Sequence, residues 1–447
     1  MSNKILAMDI GTTNLKLGIF NQSLEMEHFY QQQYNETIFE GVKAEIDPET
    51  WWMAIINGCK SFGKDLQKVG VITFSVTTPG LIAMNKYGNA LTKAILFLDQ
   101  RSHKQAANII STIGSNVLLE KAGNLPVSGG SSLSSILWIK ENLPGIYEKT
   151  FKFGHTNTYL IHKLTKKWAI DPSTTSNTGL YNTRDNDLTW NTEFLDKLSL
   201  SENKLPDLYQ SYQEVGNIEK NVAELLGLNE SCKVLCGGND AVLSAFSADL
   251  NRPGEVLHIS GTCDIMMVCL DRMACSPGYN IRSHILPDLW LTLFVLNTGG
   301  KSLEWFHSVF CIEMSDNEFY HDYMPDVIEK KINEEIPQYE PFLKGSRYST
   351  QLLKASFLGI DVNCTRDDFL MAILKGNNLY MASHLVELSK FMELSSTIKL
   401  TGGAMNIRNM SKIKSKWMGE YNYEYIDQSS LLGAAKLGRL YFKNLKT

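Results

Sequence analysis

The first hydrophobic run of the chain, Ile5-Leu6-Ala7-Met8, gives way at once to the turn Asp9-Ile10-Gly11-Thr12-Thr13-Asn14. A short apolar run bounded by turn residues reads as a buried strand. Leu15-Lys16-Leu17-Gly18-Ile19-Phe20 alternates apolar with small or polar positions, which predicts a returning strand and therefore a β-hairpin. Asp47-Pro48-Glu49-Thr50 precedes Trp51, Trp52, Ile55 and Ile56, and proline among acids marks a helix start. Val69 to Val76 predicts a buried strand ending in the turn Thr77-Thr78-Pro79-Gly80. Leu81 to Met84 returns, and Ala94 to Leu98 forms another strand. Helical segments are expected over Ser102 to Lys121 and Ser131 to Asn142. Strands alternating with helices indicate an α/β protein.

The stretch from Asp171 to Tyr212 is rich in Thr, Asn, Asp and Ser and reads as loop-dominated. Val234-Leu235-Cys236 then leads into Gly237-Gly238-Asn239-Asp240 and a small-residue helix from Ala241 to Leu250. There the opening pattern returns. Val256-Leu257-His258-Ile259 is an apolar strand, Ser260-Gly261-Thr262-Cys263 a turn, and Ile265 to Leu270 an apolar return. Gly261-Thr262 stands where Gly11-Thr12 stood. The repeat suggests duplication with a cleft between the copies; coincidence is the competing reading, because apolar-Gly-Thr-apolar is a cheap pattern. The strand Thr397 to Leu400 runs into Thr401-Gly402-Gly403-Ala404-Met405-Asn406. The small residues of Leu431-Leu432-Gly433-Ala434-Ala435 predict tight helix packing.

Composition narrows the functional classes. A length of 447 residues predicts two or three domains. With 43 basic and 48 acidic residues and no long Lys/Arg run, a nucleic-acid or membrane-surface partner is not expected. The eight cysteines include no Cys-x-x-Cys pair, which predicts buried, reduced thiols rather than a metal site or a disulfide framework. No signal peptide and no apolar run long enough to span a membrane is found, so a cytoplasmic location is expected.

Two turns and one junction carry candidate chemistry. Glycine in a tight hairpin turn lets backbone N–H groups approach phosphate oxygens, and Thr12 and Thr13 add hydroxyls. Asp9 would repel phosphate unless Mg²⁺ lay between them, so it reads as a metal-side carboxylate; the bland alternative is a turn cap. No Gly-x-x-x-x-Gly-Lys-Ser/Thr element occurs, and no Gly-x-Gly-x-x-Gly follows a strand, which disfavours P-loop and dinucleotide-binding proteins. Asp240, after two glycines at a strand-to-helix junction, is placed to accept the proton of an attacking hydroxyl. A helix-capping role is the alternative. The two flanking phosphate-type hairpins favour the base.

These motifs, in this order along nearly the whole chain, resemble the FGGY carbohydrate kinase family, within the actin-like ATPase fold. Asp9-Ile10-Gly11-Thr12-Thr13 is similar to the family's first phosphate motif and Ser260-Gly261-Thr262 to its second. Leu98-Asp99-Gln100-Arg101-Ser102 resembles its strand-end motif, and Gly237-Gly238-Asn239-Asp240-Ala241 the motif of the catalytic base. Asn297-Thr298-Gly299-Gly300-Lys301-Ser302-Leu303-Glu304-Trp305 resembles the segment that touches nucleotide. Phe357-Leu358-Gly359-Ile360 with Thr365-Arg366 resembles the C-terminal signature, and Gly402-Gly403-Ala404 with Asn406 the adenosine motif.

The resemblance implies two α/β domains of actin-like (ribonuclease H-like) fold with the active site in a cleft between them. Residues 1–243 would carry substrate contacts and the first phosphate motif, and residues 244–447 the nucleotide. It implies ATP and Mg²⁺, with Asp240 as base, Asp9 and Asp240 toward the metal, and Gly11, Thr12, Thr13, Gly261 and Thr262 on phosphates. Gly300, Glu304, Gly402, Gly403 and Asn406 would line the nucleoside, and Thr78, Pro79 and Gly80 the sugar. The turn Thr77-Thr78-Pro79-Gly80 stands where xylulokinases carry Met-His and glycerol kinases Arg-Glu; neither is present, and the surroundings look more like the fuculokinase branch. The implied reaction is phosphoryl transfer from ATP to a sugar hydroxyl. A ketose such as xylulose or fuculose comes first and a polyol or aldonate is the alternative; the oligomeric state stays open, with a homodimer among the options because relatives of this family are often dimers. Two rivals are an actin-like ATPase or phosphatase using water, and a sugar-binding regulator without catalysis.

Overall fold

The computed structural model describes residues 3–34, 36–348, 353–403, 407–426 and 429–444. It divides into two compact units that are interleaved in sequence. The first comprises residues 1–249, 272–290 and 428–447, and the second 250–271 and 291–427. The sequence boundary at 243/244 falls inside the helix Asp240–Ser247.

In the first unit the opening hairpin forms as expected, Lys4–Ile10 running antiparallel to Asn14–Phe20. The main sheet runs, in hydrogen-bonded order, Glu214–Asn217, Lys233–Leu235, Val69–Val76, Lys4–Ile10, Asn14–Phe20 and Met26–Gln33. Lys4–Ile10, Val69–Val76 and Lys233–Leu235 are mutually parallel. Parallel strands are covered on both faces, which is why these segments read as continuous apolar runs instead of alternating ones. Met26–Gln33 has one side exposed and is correspondingly polar.

The helix Pro48–Phe62 starts where Asp47 and Pro48 predicted, with the Asp47 side chain accepting from Glu49 N. Its Trp51 and Ile55 join Met8, Leu17, Phe74, Tyr159 and Val234 in one core. A second core of this unit gathers Leu81, Ile95, Ile109, Leu133 and Tyr181. The helix expected over Ser102 to Lys121 is two, His103–Ile113 and Ser115–Ala122, broken at Gly114 with φ 95°. The strand expected to reach Leu98 ends at Leu96. The polar stretch after Asp171 is not a surface loop in its first part, because Asp171, Ser173, Thr174, Thr175, Ser176 and Asn177 are buried. Most of their polar groups are absorbed by hydrogen bonds inside the segment and to Asn157, Ser211 and Ser283, a form of burial that hydropathy does not report.

The second unit repeats the arrangement. Val256–Ser260 is antiparallel to Asp264–Leu270 and parallel to Thr397–Thr401, which is parallel to Asn422–Tyr425. A hairpin with a parallel strand beside its first arm therefore occurs in each unit, a shared topology that a chance Gly-Thr string does not produce. The core beside it contains Leu303, Phe306, Met371 and Ile413. Among the described residues, no helix is long and apolar enough to cross a membrane, and no cysteine forms a disulfide.

The helix Ser430–Asn444 returns to the first unit. An added Cβ at Gly433 would lie 2.1 Å from the Leu243 carbonyl oxygen, and one at Gly438 would lie 2.6 Å from Ile5 Cγ2. The small-residue stripe is helix packing, as its sequence predicted. In a free helix Gly→Ala stabilises by about 1 kcal/mol. Here Gly433→Ala is expected to destabilise by roughly 1–3 kcal/mol, because the methyl overlaps backbone; chemical denaturation monitored by circular dichroism measures the sign directly.

Candidate functional site

Three parallel strand ends bring the first unit's site together. In register, Asp9 lies opposite Ser75 and Ile10 opposite Val76. On the other side of that strand, Gly238 pairs Ser75 and Asn239 pairs Val76. The next residues on each chain are therefore neighbours: the Gly11 turn, Thr77 and Asp240. Ligand sites of open α/β sheets lie beyond such carboxyl ends of strands.

Asp240 begins the helix Asp240–Ser247, and the helix cap is its neighbour Asn239, whose Oδ1 accepts from Val242 N at 3.1 Å. The capping alternative for Asp240 is thus filled by another residue. Asp240 Oδ2 accepts from Thr77 Oγ1 at 2.9 Å, and Oδ1 accepts from Ala241 N at 2.7 Å. Asp9 accepts from Ser75 Oγ at 2.6 Å and from the Ser430 hydroxyl.

Part of each aspartate meets solvent, yet both carboxyl groups are enclosed. Burial, followed by the negative charge of Asp9, pushes Asp240 up to about 6, and burial also raises Asp9. Two enclosed carboxylates disfavour each other's ionisation unless a cation joins them. Their donor set suits Mg²⁺, which takes one or two protein carboxylates and completes its shell with phosphate oxygens and water. No larger group of metal-binding side chains is present among the described residues.

Of the two glycines before Asp240, Gly237 is the one whose backbone requires glycine. Gly237 has φ 73°, and a Cβ there would lie 2.6 Å from the Phe74 carbonyl oxygen. What the sequence reading missed is the buried scaffold behind this turn. Ser173 Oγ accepts from Asn239 N at 2.9 Å and donates to Asp171. Asp171 also accepts from Ser211 Oγ at 3.0 Å and from Asn157 Nδ2 at 3.1 Å. The available signal was Asp171-Pro172, the same start signature as Asp47-Pro48, here capping the short helix Pro172–Thr175.

Of the expected sugar-facing turn, Thr78 is tied to the residue before Asp240: its Oγ1 accepts from Asn239 Nδ2 at 2.7 Å and from Asn177 Nδ2 at 2.6 Å. Pro79 follows through a cis peptide bond. A Cβ at Gly80 would lie 3.1 Å from Thr156 Oγ1. In the first phosphate-type turn, Gly11 N donates to Asn14 O at 2.9 Å, and Thr13 is exposed beside the half-buried Thr12.

In the second unit, Gly261 N donates to Cys263 O at 3.1 Å, closing the corresponding turn, and Thr262 is exposed. The helix Gly299–Phe310 abuts it: Gly300 N donates to Gly261 O at 2.8 Å and Lys301 N to Thr262 O at 3.1 Å. Gly300 therefore spends its N–H on holding the turn. Glu304 lies exposed on that helix, paired with Lys301. Gly402 has φ 108° and abuts the Ser260 carbonyl, where a Cβ would lie 2.2 Å away, while Gly403 faces open space. Asn406 lies outside the described residues. Asp99, of the strand-end motif, is buried in a two-point ion pair with Arg101, which also meets Glu45 at 2.6 Å.

Comparison with known proteins agrees with this layout. The family model described as "FGGY family of carbohydrate kinases, N-terminal domain" matches residues 4–247, more than half of the chain. The xylulose kinase of Staphylococcus xylosus is 25% identical over 410 residues, covering 90% of this chain and 83% of its own. The gluconokinase of Bacillus subtilis is 25% identical over 460 residues, covering 98% and 87%. Among solved structures, ligand-bound xylulose kinase from Lactobacillus acidophilus has TM-score 0.88 at 20% identity, covering 99% of this chain and 90% of that one. Plasmodium falciparum glycerol kinase with ADP has the same score, identity and coverage. At that identity these structures establish the fold, two actin-like α/β domains.

Ser173→Ala removes both the acceptor of Asn239 N and a donor to buried Asp171. It is expected to cost roughly 1–3 kcal/mol of stability, read as a lower denaturation midpoint in urea with unchanged slope.

Proposed function

This chain belongs to the FGGY family of carbohydrate kinases, and we propose that Asp240 is the general base of its phosphoryl transfer. A carbohydrate kinase must take a proton from a poorly acidic hydroxyl while excluding wrong geometries. The observation that carries the reading is the Asp240 carboxyl group, fixed by Thr77 and Ala241 and raised to about 6. A base tuned toward neutrality accepts the hydroxyl proton more readily than an ordinary carboxylate.

In the proposed reaction the acceptor oxygen forms a bond to the γ-phosphorus of ATP as its proton passes to Asp240. The bond from that phosphorus to the bridging oxygen breaks, and ADP leaves. Mg²⁺ would be held by Asp9 and Asp240 and would neutralise phosphate charge when bound. Thr12, Thr13 and the Gly11 turn are read as phosphate donors, with Gly261 and Thr262 as the second set. Gly402, Gly403, Glu304 and Asn406 are read as nucleoside-side residues, and Gly300 as the residue that braces the second turn. Thr78, Pro79 and Gly80 are read on the acceptor side. The relatives named xylulose kinase favour a ketopentose acceptor, and those named gluconokinase an aldonate.

Asp240→Ala is expected to lower kcat by roughly 10²–10⁴-fold while ATP binding persists. Coupled ADP release and isothermal titration measure the two separately, and near-native turnover would remove Asp240 from the role. If ATP hydrolysis proceeds at a rate that no carbohydrate changes, water is the acceptor instead. The active form of Asp240 is the deprotonated one. Hence kcat/KM is expected to fall on acidification with an apparent pKa no higher than about 6, lower where a cation is bound, and this limb should vanish in Asp240→Ala.

A further inference from the structure

The turn read as the second phosphate holder is fixed from behind. Gly300 N and Lys301 N donate to the carbonyls of Gly261 and Thr262, at 2.8 and 3.1 Å. In a trans peptide the N–H points opposite to its C=O. Thr262 N and Cys263 N are therefore turned away from the helix Gly299–Phe310, as paired backbone donors for an anion. Their aim depends on how firmly the turn is seated on that helix.

Asp264 closes the seat. It lies opposite Ser260 across the hairpin, and its Oδ1 accepts from Ser260 Oγ at 2.8 Å. A Cβ at Gly299 would lie 2.6 Å from Asp264 Cγ, so the carboxyl group abuts the first turn of the helix. Negative charge is favourable there. Behind Asp264 stand His258 and Lys414, at 0% and 2% exposure. An ammonium can only donate, so His258 Nδ1 accepts from Lys414 Nζ at 3.2 Å. The imidazole, kept neutral by burial and by Lys414, then carries its proton on Nε2. That nitrogen lies 3.7 Å from Asp264 Oδ1 and has no hydrogen-bond partner. Lys414 also donates toward Met418 Sδ at 3.9 Å, and among the described residues no carboxylate forms an ion pair with it. A buried ammonium is costly. The acid whose charge it supports is Asp264, one imidazole away.

We infer that Asp264 is the positioning residue of the turn at residues 260–263, with Lys414 acting on it through His258. Together they set affinity for the polyphosphate of ATP and leave the nucleoside alone. The inference rests on the reading of Gly261 and Thr262 as phosphate donors.

The test uses the full chain. Isothermal titration compares ATP and ADP with adenosine, and hydrogen exchange follows the amides of residues 260–264. In the wild type ADP is expected to slow exchange there, and adenosine is not. Equal exchange with and without ADP would refute the phosphate reading of the turn, and this inference with it. Asp264→Ala combined with Lys414→Met removes both buried charges and leaves neither unpaired. It is expected to bind ATP and ADP roughly tenfold or more weakly, with adenosine affinity unchanged and faster exchange in the free turn. Asp264→Asn combined with Lys414→Met restores an acceptor for Ser260 and is expected to recover part of the loss. If the alanine pair fails to fold, Ser260→Ala decides, because it deletes one hydroxyl and keeps both charges; it is expected to weaken ATP and not adenosine. ADP protection of the wild-type turn with unaltered ATP affinity in Ser260→Ala would overturn the inference and leave the phosphate reading standing. Parallel loss of ATP and adenosine would mark general disruption and overturn it as well. Unchanged ATP affinity in Lys414→Met alone would remove Lys414 from the role.

Discussion

The register of three parallel strands is the constraint on which the rest of the first unit depends. Because Asp9, Ser75 and Gly238 lie level in the sheet, the residues just beyond them converge without any long reach. A slip of one residue would turn Ser75 to the opposite face and part it from Asp9. The register is pinned by burial on both faces, so the apolar runs that hold the sheet also place two carboxylates together. Burial raises both carboxyl groups, and the negative charge of Asp9 raises Asp240 further. The same enclosure is what the proposed roles of Asp240 as base and of the pair as a cation site draw on.

The second unit repeats the hairpin but not its charge. With Gly261 set against Gly11, Ile259 occupies the place of Asp9. The nearest carboxylate, Asp264, is buried at the start of the returning strand. Burial works to raise it, but His258 and Lys414 outweigh burial and hold it below its ordinary value. Asp264 accepts from Ser260 Oγ at 2.8 Å and thereby braces the turn. One copy of the hairpin carries an acid at the end of its first strand, and the other uses an acid as internal support.

Much of this was legible in the sequence. Both hairpins, the helix after Asp47-Pro48, the strand into Thr77 and the Gly-Gly-Asn-Asp junction follow from local pattern, because each is set by nearby apolar spacing and turn residues. Ser75 and Thr77 were read only as strand and turn residues, since their contacts to Asp9 and Asp240 span 66 and 163 residues of chain. The buried network around Asp171 escaped for a different reason. Its residues look like a solvated loop, and only the closure of their hydrogen bonds in space makes them core. The end of the helix at Gly114 was visible as a glycine but not as a break, because glycine alone does not fix its own φ.

The packing of Ser430–Asn444 against the opening strand has a consequence for how the molecule is made. Ile5 emerges from the ribosome more than four hundred residues before Gly438, the residue that fits against it. Until then the first strand has only one covered face, and its apolar side must wait through the synthesis of everything between. The first unit therefore completes its packing only after Gly438 has been synthesised, so its folding does not follow the order of the chain.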